Sequence, residues 1–283
     1  CYSSWNLIGA LANVFNNQGA NIILNIFFGP IVNTARGIAY QVNGAIMQFV
    51  QNFMTASRPQ IIKYYAENEK EKMLNLIFQS SKLSFLLLFI LTVPFLLKTD
   101  YILEIWLKEI PKYVVIFTQL VILSALIDSL SFPLMTAAQA TGKIKNYTII
   151  VGSVMLLNLP ISYVFFKLNY PPPTIFFLAI INSIICLYLR LILLKKMIKF
   201  PIKKYFREVI FPLLSTIVLT YAILIPITGK LKDYTFTHFF IVFLIGLCIS
   251  SLLSYTLGFS QAEKYQSKKY IKKIVQKYVC KKN

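Results

Sequence analysis

GPIVNTARGIAYQVNGAIMQFVQNFMTASRPQ, from Gly29 to Gln60, is apolar and long enough to read as a membrane helix. It nevertheless carries Asn33, Arg36, Gln41, Asn43, Gln48, Gln51 and Asn52. Burying that many amide and guanidinium groups in hydrocarbon without partners costs several kcal/mol for each. The helix must therefore face other protein or water. Gln41, Gln48, Asn52 and Thr55 follow at intervals of seven, four and three, which places them on one stripe of a 3.6-residue helix. Arg36, Tyr40, Asn43 and Met47 form a second stripe beside it. A helix polar along one broad side and lined elsewhere by Ile, Val, Phe and Met reads as the wall of a hydrated cavity inside a bundle.

The composition of the whole chain agrees. Of its 283 residues, 57% are hydrophobic and only 14% charged, with a mean hydropathy of +0.65. A soluble domain of this size has no use for so much apolar surface, whereas runs of about 20 apolar residues are what a bilayer needs. Eight such segments can be marked: Ser4–Phe28, Val32–Ser57, Leu74–Leu97, Tyr113–Ala140, Tyr147–Phe166, Thr174–Leu194, Tyr205–Ile227 and Phe236–Leu257. The expected fold is an all-α integral membrane protein of about eight transmembrane helices, with short connectors and antiparallel neighbours. The chain opens on Cys1 rather than Met, directly in an apolar segment, and reads as lacking an N-terminal part.

The net charge of +19 would suggest nucleic acid in a soluble protein, but its distribution points to a membrane surface. Of the 29 Lys and Arg residues, 21 fall in one set of alternate connectors and the C-terminal tail, 6 in the other set, and two, Arg36 and Lys82, inside proposed helices. The richer side is expected to be cytoplasmic. Residues 261–283 alternate Ile, Val and Tyr with Lys and read as a basic amphipathic tail on an anionic inner leaflet. Lys82 is expected to snorkel to the interface. On the opposite side, KTDYILEIWLKEIPKY suits a short interfacial helix anchored by Tyr101, Ile105 and Trp106.

Asn13, Asn17, Asn21 and Asn25 recur every four residues in the first segment, beside Gly9 and Gly19, which permit close helix approach. These amides either line a polar cavity or serve as glue between helices. Asp128, in LIDSLSFPLMTAAQATG, either faces a cavity or satisfies backbone freed by Pro133. The four cysteines have no metal-ligand spacing, and Cys186 and Cys248 read as small packed hydrophobes. No Walker loop, HExxH, GxSxG or dinucleotide fingerprint is present. Neither an enzyme, a cofactor nor a metal site is expected.

The stretch from Gly29 through IIKYYA, with YILEIWL, IPKY and the TAAQATGKIKNY turn, resembles the C-terminal half of bacterial O-antigen and capsular polysaccharide flippases. Their superfamily also contains multidrug-and-toxin extruders and the peptidoglycan-precursor flippase. The resemblance implies a MATE-like transporter of two helical bundles around an alternating-access cavity. It implies as substrate an undecaprenyl-diphosphate-linked oligosaccharide, carried across the bacterial inner membrane. Residues 1–200 would then form the second bundle of about six helices, and 201–260 two additional helices. Membrane lipids and other polysaccharide-assembly proteins would be its partners, and nucleic acid would not. The expected substrate cavity comprises Arg36, Asn13, Asn17, Gln41, Asn43, Gln48, Asn52 and Asp128. Arg36 is either the ligand of the diphosphate or a helix-end residue. A multidrug or metabolite antiporter is the first alternative, and an integral-membrane polysaccharide polymerase the second.

Overall fold

The computed structural model describes residues 2–230, 236–259 and 263–264. Among these there is no strand. The helices are α1 (Tyr2–Ala66), α2 (Lys70–Leu97), α3 (Thr99–Leu107), α4 (Val114–Ala140), α5 (Lys145–Lys167), α6 (Thr174–Ile198), α7 (Ile202–Tyr205), α8 (Phe211–Lys230) and α9 (Phe236–Leu253). Seven stretches of the described residues are long and apolar enough to cross a membrane.

The first of the seven is 63 residues long and is not one straight rod. Gly29 has φ 79° and ψ −178°, a conformation open essentially to glycine alone, and Pro30 follows it. Proline also disfavours helical geometry in the residue before it. The chain folds back at this point, because the Arg36 guanidinium reaches Asn21 and Asn17. On a straight helix, residues 15 apart would lie about 22 Å from each other. The limbs 2–28 and 30–66 therefore pack side by side, which recovers the eight passes expected from the sequence.

Small residues set how closely the first limb meets α5. A Cβ on Gly9 would lie 3.3 Å from Thr148, Ala12 stands 3.7 Å from where a Cβ on Gly152 would be, and a Cβ on Gly19 would lie 2.5 Å from Leu159. The offset is nearly constant along the chain, so the two helices run parallel. The glycines do provide close approach, with α5 as the partner.

Helices α2 and α4 are central: 61% of each one's most apolar window is buried, against 22% for α6, α8 and α9. The outer helices turn large side chains outward, among them Phe211, Val218 and Leu252, as contact with lipid tails requires. Two apolar clusters fill the interior. One, around Phe117, Leu24, Ala39 and Phe176, lies near the Gly29 turn. The other, around Phe89, Leu134, Tyr205 and Leu194, lies towards the opposite, basic end. The short helix α3 forms where an interfacial helix was expected, with Ile105 and Trp106 exposed and Tyr101 against Phe239.

Lys82 departs from expectation. Rather than snorkelling, its ammonium is buried in an ion pair with Glu263. Cys186 is packed as expected, whereas Cys248 faces outward. The basic tail falls outside the described residues apart from Glu263 and Lys264, as does the side chain of His238.

Candidate functional site

A cavity of about 700 Å³ lies between the two apolar clusters, walled by both limbs of α1 and by α4, α5 and α6. It sits towards the basic end of the bundle, since Trp5, Arg58, Gln139 and Tyr147, all near helix ends there, line it. Lys145 stands over the Trp5 ring at its rim, 5.5 Å from the centroid.

Of the eight residues expected in a cavity, three line it: Asn13, Asn43 and Asp128. Arg36 does not. It is 6% exposed, donates from Nη1 to Asn21 Oδ1 and from Nη2 to the Asn17 carbonyl at 3.2 Å, and lies over the Tyr40 ring at 4.3 Å. Asn17 extends the chain by donating to Asn13 Oδ1 at 3.0 Å. The asparagine ladder thus works largely as a polar seam between the two limbs. Gln41, Gln48 and Asn52 project from the exposed face of the second limb, away from the cavity, together with Thr55.

Sequence reasoning passed over the strongest cation in the cavity. Arg190 is 8% exposed and lines it. Its Nε donates to the Tyr147 hydroxyl at 3.0 Å, which fixes the plane of the guanidinium. A guanidinium has five N–H donors, and this bond uses one of them. Arg190 is one of the 21 cations assigned above to the richer connectors, although its surroundings, CLYLRLILL, lie within the sixth apolar segment. An arginine inside such a run was the available signal. Arg58, Gln139 and Gln51 also line the cavity; of these only Gln51 stands among the polar residues noted in the Gly29–Gln60 stretch, and none is in the expected cavity set.

Asp128, on α4, lies beside Ser183 of α6 and within electrostatic reach of Arg190, yet no ion pair joins Asp128 and Arg190. Ser124 and Ser131, one turn to either side of Asp128 on α4, line the cavity with it. The hydroxyls of Ser124 and Ser183 are 3.2 Å apart. Ser131 is 4% exposed, and its Oγ has no hydrogen-bond partner. The arrangement therefore offers a fixed guanidinium on one wall and a row of oxygens on the other, with amides and Trp5 towards the mouth.

A bundle of membrane-length helices around a polar chamber defines an integral membrane protein of the transporter kind. A protein-family profile described as MatE matches residues 9–164, more than half of the chain. The chain belongs to the MatE family, whose members are membrane transporters rather than enzymes, within the multidrug/oligosaccharidyl-lipid/polysaccharide exporter superfamily. No curated protein and no solved structure matches it. The matched residues contain four of the five walls of the cavity, all but α6, which supplies Arg190.

Proposed function

We propose that this chain is part of a flippase that moves an undecaprenyl-diphosphate-linked oligosaccharide across the bacterial inner membrane for the synthesis of cell-surface polysaccharide such as O-antigen or capsule. The observation that carries the reading is Arg190, buried, oriented by Tyr147 and open to the cavity. A buried guanidinium with donors to spare suits a phosphate oxygen pair, which it binds bidentately. Arg58 adds a second cation near the mouth, and Asn13, Asn43, Gln51 and Gln139 present amides to sugar hydroxyls. The lipid tail needs no pocket, because it stays in the bilayer.

In this reading, residues 1–200 form one bundle of a two-bundle transporter and 201–260 two further helices. The exposed stripe of Gln41, Gln48, Asn52 and Thr55 faces the cleft against a second bundle, where water or substrate solvates the amides. The basic end and the tail lie on the cytoplasmic side.

The rival within the superfamily is an antiporter of organic cations, favoured by one observation: Asp128 lines the same cavity. Complementation separates the two. The full-length gene is deleted in its host and restored intact or with Arg190→Met at matched protein level, while surface polysaccharide and accumulated lipid-linked repeat units are followed. The flippase reading expects lost surface polymer, with repeat units trapped on the inner leaflet, for both the deletion and Arg190→Met. Unchanged surface polymer in the deletion strain, absent a redundant flippase, removes the flippase and promotes the antiporter. Rescue by Arg190→Met removes Arg190 from the pathway.

A further inference from the structure

We infer that Asp128 is the selectivity residue of the cavity, making it prefer a diphosphate that bears a sugar over a bare lipid diphosphate. This rests on the reading of Arg190 as the diphosphate site.

Among the described residues lining the cavity Asp128 is the one acid; it lies beside the Ser183 hydroxyl, and no described cation forms an ion pair with it. It sits in the middle of a row on α4, Ser124, Asp128 and Ser131, spaced four and three residues apart so that all three face one way. Ser124 shares a hydrogen bond with Ser183, but Ser131 is buried with an unpartnered Oγ. A buried polar group without a partner is costly, and here it faces a chamber large enough for a ligand.

The two walls ask for different chemistry. The Arg190 wall is made of donors and takes phosphate oxygens. The α4 wall carries the Asp128 carboxylate, which only accepts, between two hydroxyls that can donate or accept, and it takes hydroxyl donors such as those of a sugar ring. A lipid diphosphate without a sugar places its own oxygens against Asp128, acceptor against acceptor. The same lipid carrying a sugar inserts hydroxyls between them, satisfying Asp128 and Ser131 together. A carboxylate has room for more than the one bond from Ser183, and sites built to bond a ligand hydroxyl discriminate strongly against ligands that lack it. Asp128 would thereby exclude spent carrier, the product of any reaction that removes the sugar from its lipid.

The test is equilibrium binding to the full chain in lipid nanodiscs, read by fluorescence of Trp5 at the cavity wall, with Trp106→Phe as background. Three probes are compared: an isoprenyl diphosphate, the same lipid bearing one hexose, and that glycolipid with its hydroxyls O-methylated. The free hexose is expected to improve affinity by about tenfold or more over the bare lipid. Methylation should abolish the gain, and Asp128→Asn should bring the ratio of the first two affinities towards one. Equal affinities in the unmutated chain, tight binding of the methylated probe, or an unchanged ratio in Asp128→Asn each overturn the inference while leaving the diphosphate site standing. The methylated probe decides the matter on the unmutated chain even if Asp128→Asn folds poorly. Failure of all three lipids to bind overturns the flippase reading itself, and this inference with it.

Discussion

Lys82 Nζ lies 2.6 Å from Glu263 Oε2, and the two side chains are 6% and 12% exposed. Residues 181 apart in sequence are thus joined by a buried charge pair linking central helix α2 to the segment beyond α9. Gly258 packs beside it, so close that a Cβ there would lie 2.7 Å from Leu86. Glu263→Gln removes the carboxylate that faces the buried Lys82 ammonium and is expected to cost about 3–5 kcal/mol; Lys82→Met, which withdraws the ammonium from Glu263, is expected to destabilise as well. The double replacement by apolar residues should cost much less. Thermal unfolding in detergent checks this: single variants no less stable than the double would show that the pair is not desolvated.

Arg36 holds the two limbs of α1 together through Asn17 and Asn21. Arg36→Ala is expected to destabilise the fold by about 1–3 kcal/mol, since it strips a charged donor from two half-buried acceptors. Arg36→Lys should recover only part, because a compact ammonium lacks the two-nitrogen fork with which the guanidinium bonds Asn17 and Asn21 together. Folded yield and melting temperature report the loss. Per folded molecule, binding of an isoprenyl diphosphate should be unaltered, and a selective loss of that binding would restore Arg36 to the substrate path.

Gly29 is the hinge between the limbs. At φ 79° and ψ −178°, an alanine is strained by about 1–3 kcal/mol, whatever space surrounds it. The Cβ itself would meet nothing within 4 Å, so the cost is entirely in the backbone. Gly37→Ala, inside the helix and equally uncrowded, is the control and should be neutral or slightly stabilising. Comparing the two melting temperatures isolates the hinge.

Gly19 makes the opposite argument. Its conformation is ordinary, but an added Cβ would lie 2.5 Å from Leu159 Cδ1. Gly19→Ala is expected to cost about 1–3 kcal/mol by overpacking. Leu159→Ala should relieve much of that loss in the double variant. Strict additivity of the two changes would mean that the parallel packing of the first limb on α5 is looser than the contact implies.

Tyr147 orients Arg190 through a 3.0 Å bond to Nε. Tyr147→Phe removes that bond without opening a cavity and should weaken diphosphate binding roughly fivefold to tenfold, as expected for about 1–1.5 kcal/mol. Arg190→Met should abolish it. Equal affinities for Tyr147→Phe and the unmutated chain would show that the guanidinium needs no such support.

How far the sequence could be read depended on the range of the forces involved. Membrane-length apolar runs, the boundary between Phe28 and Val32 and the short helix at Thr99–Leu107 are local properties, each decided within a few residues by hydropathy, by glycine and proline, or by amphipathic spacing. They were legible, and so was the need for the amides of Asn13 and Asn43 to meet something polar. Which polar partner each residue meets was not legible, because helical periodicity gives a face but not its neighbour. Arg36 and Asn43 share a stripe on paper, yet Arg36 turns into the interlimb seam while Asn43 opens to the chamber. Lys82 looked like a snorkelling lysine until Glu263, nearly two hundred residues later, came to lie beside it. Arg190 looked like loop charge until Tyr147 and the walls of α4 and α5 enclosed it. The amino-acid sequence by itself determined that this protein crosses a membrane as a helical bundle and hides polar groups within it. Only the tertiary structure decided which of those groups neutralise each other and which remain free to meet a ligand, since in a low-dielectric interior that choice depends on neighbours brought together from distant parts of the chain.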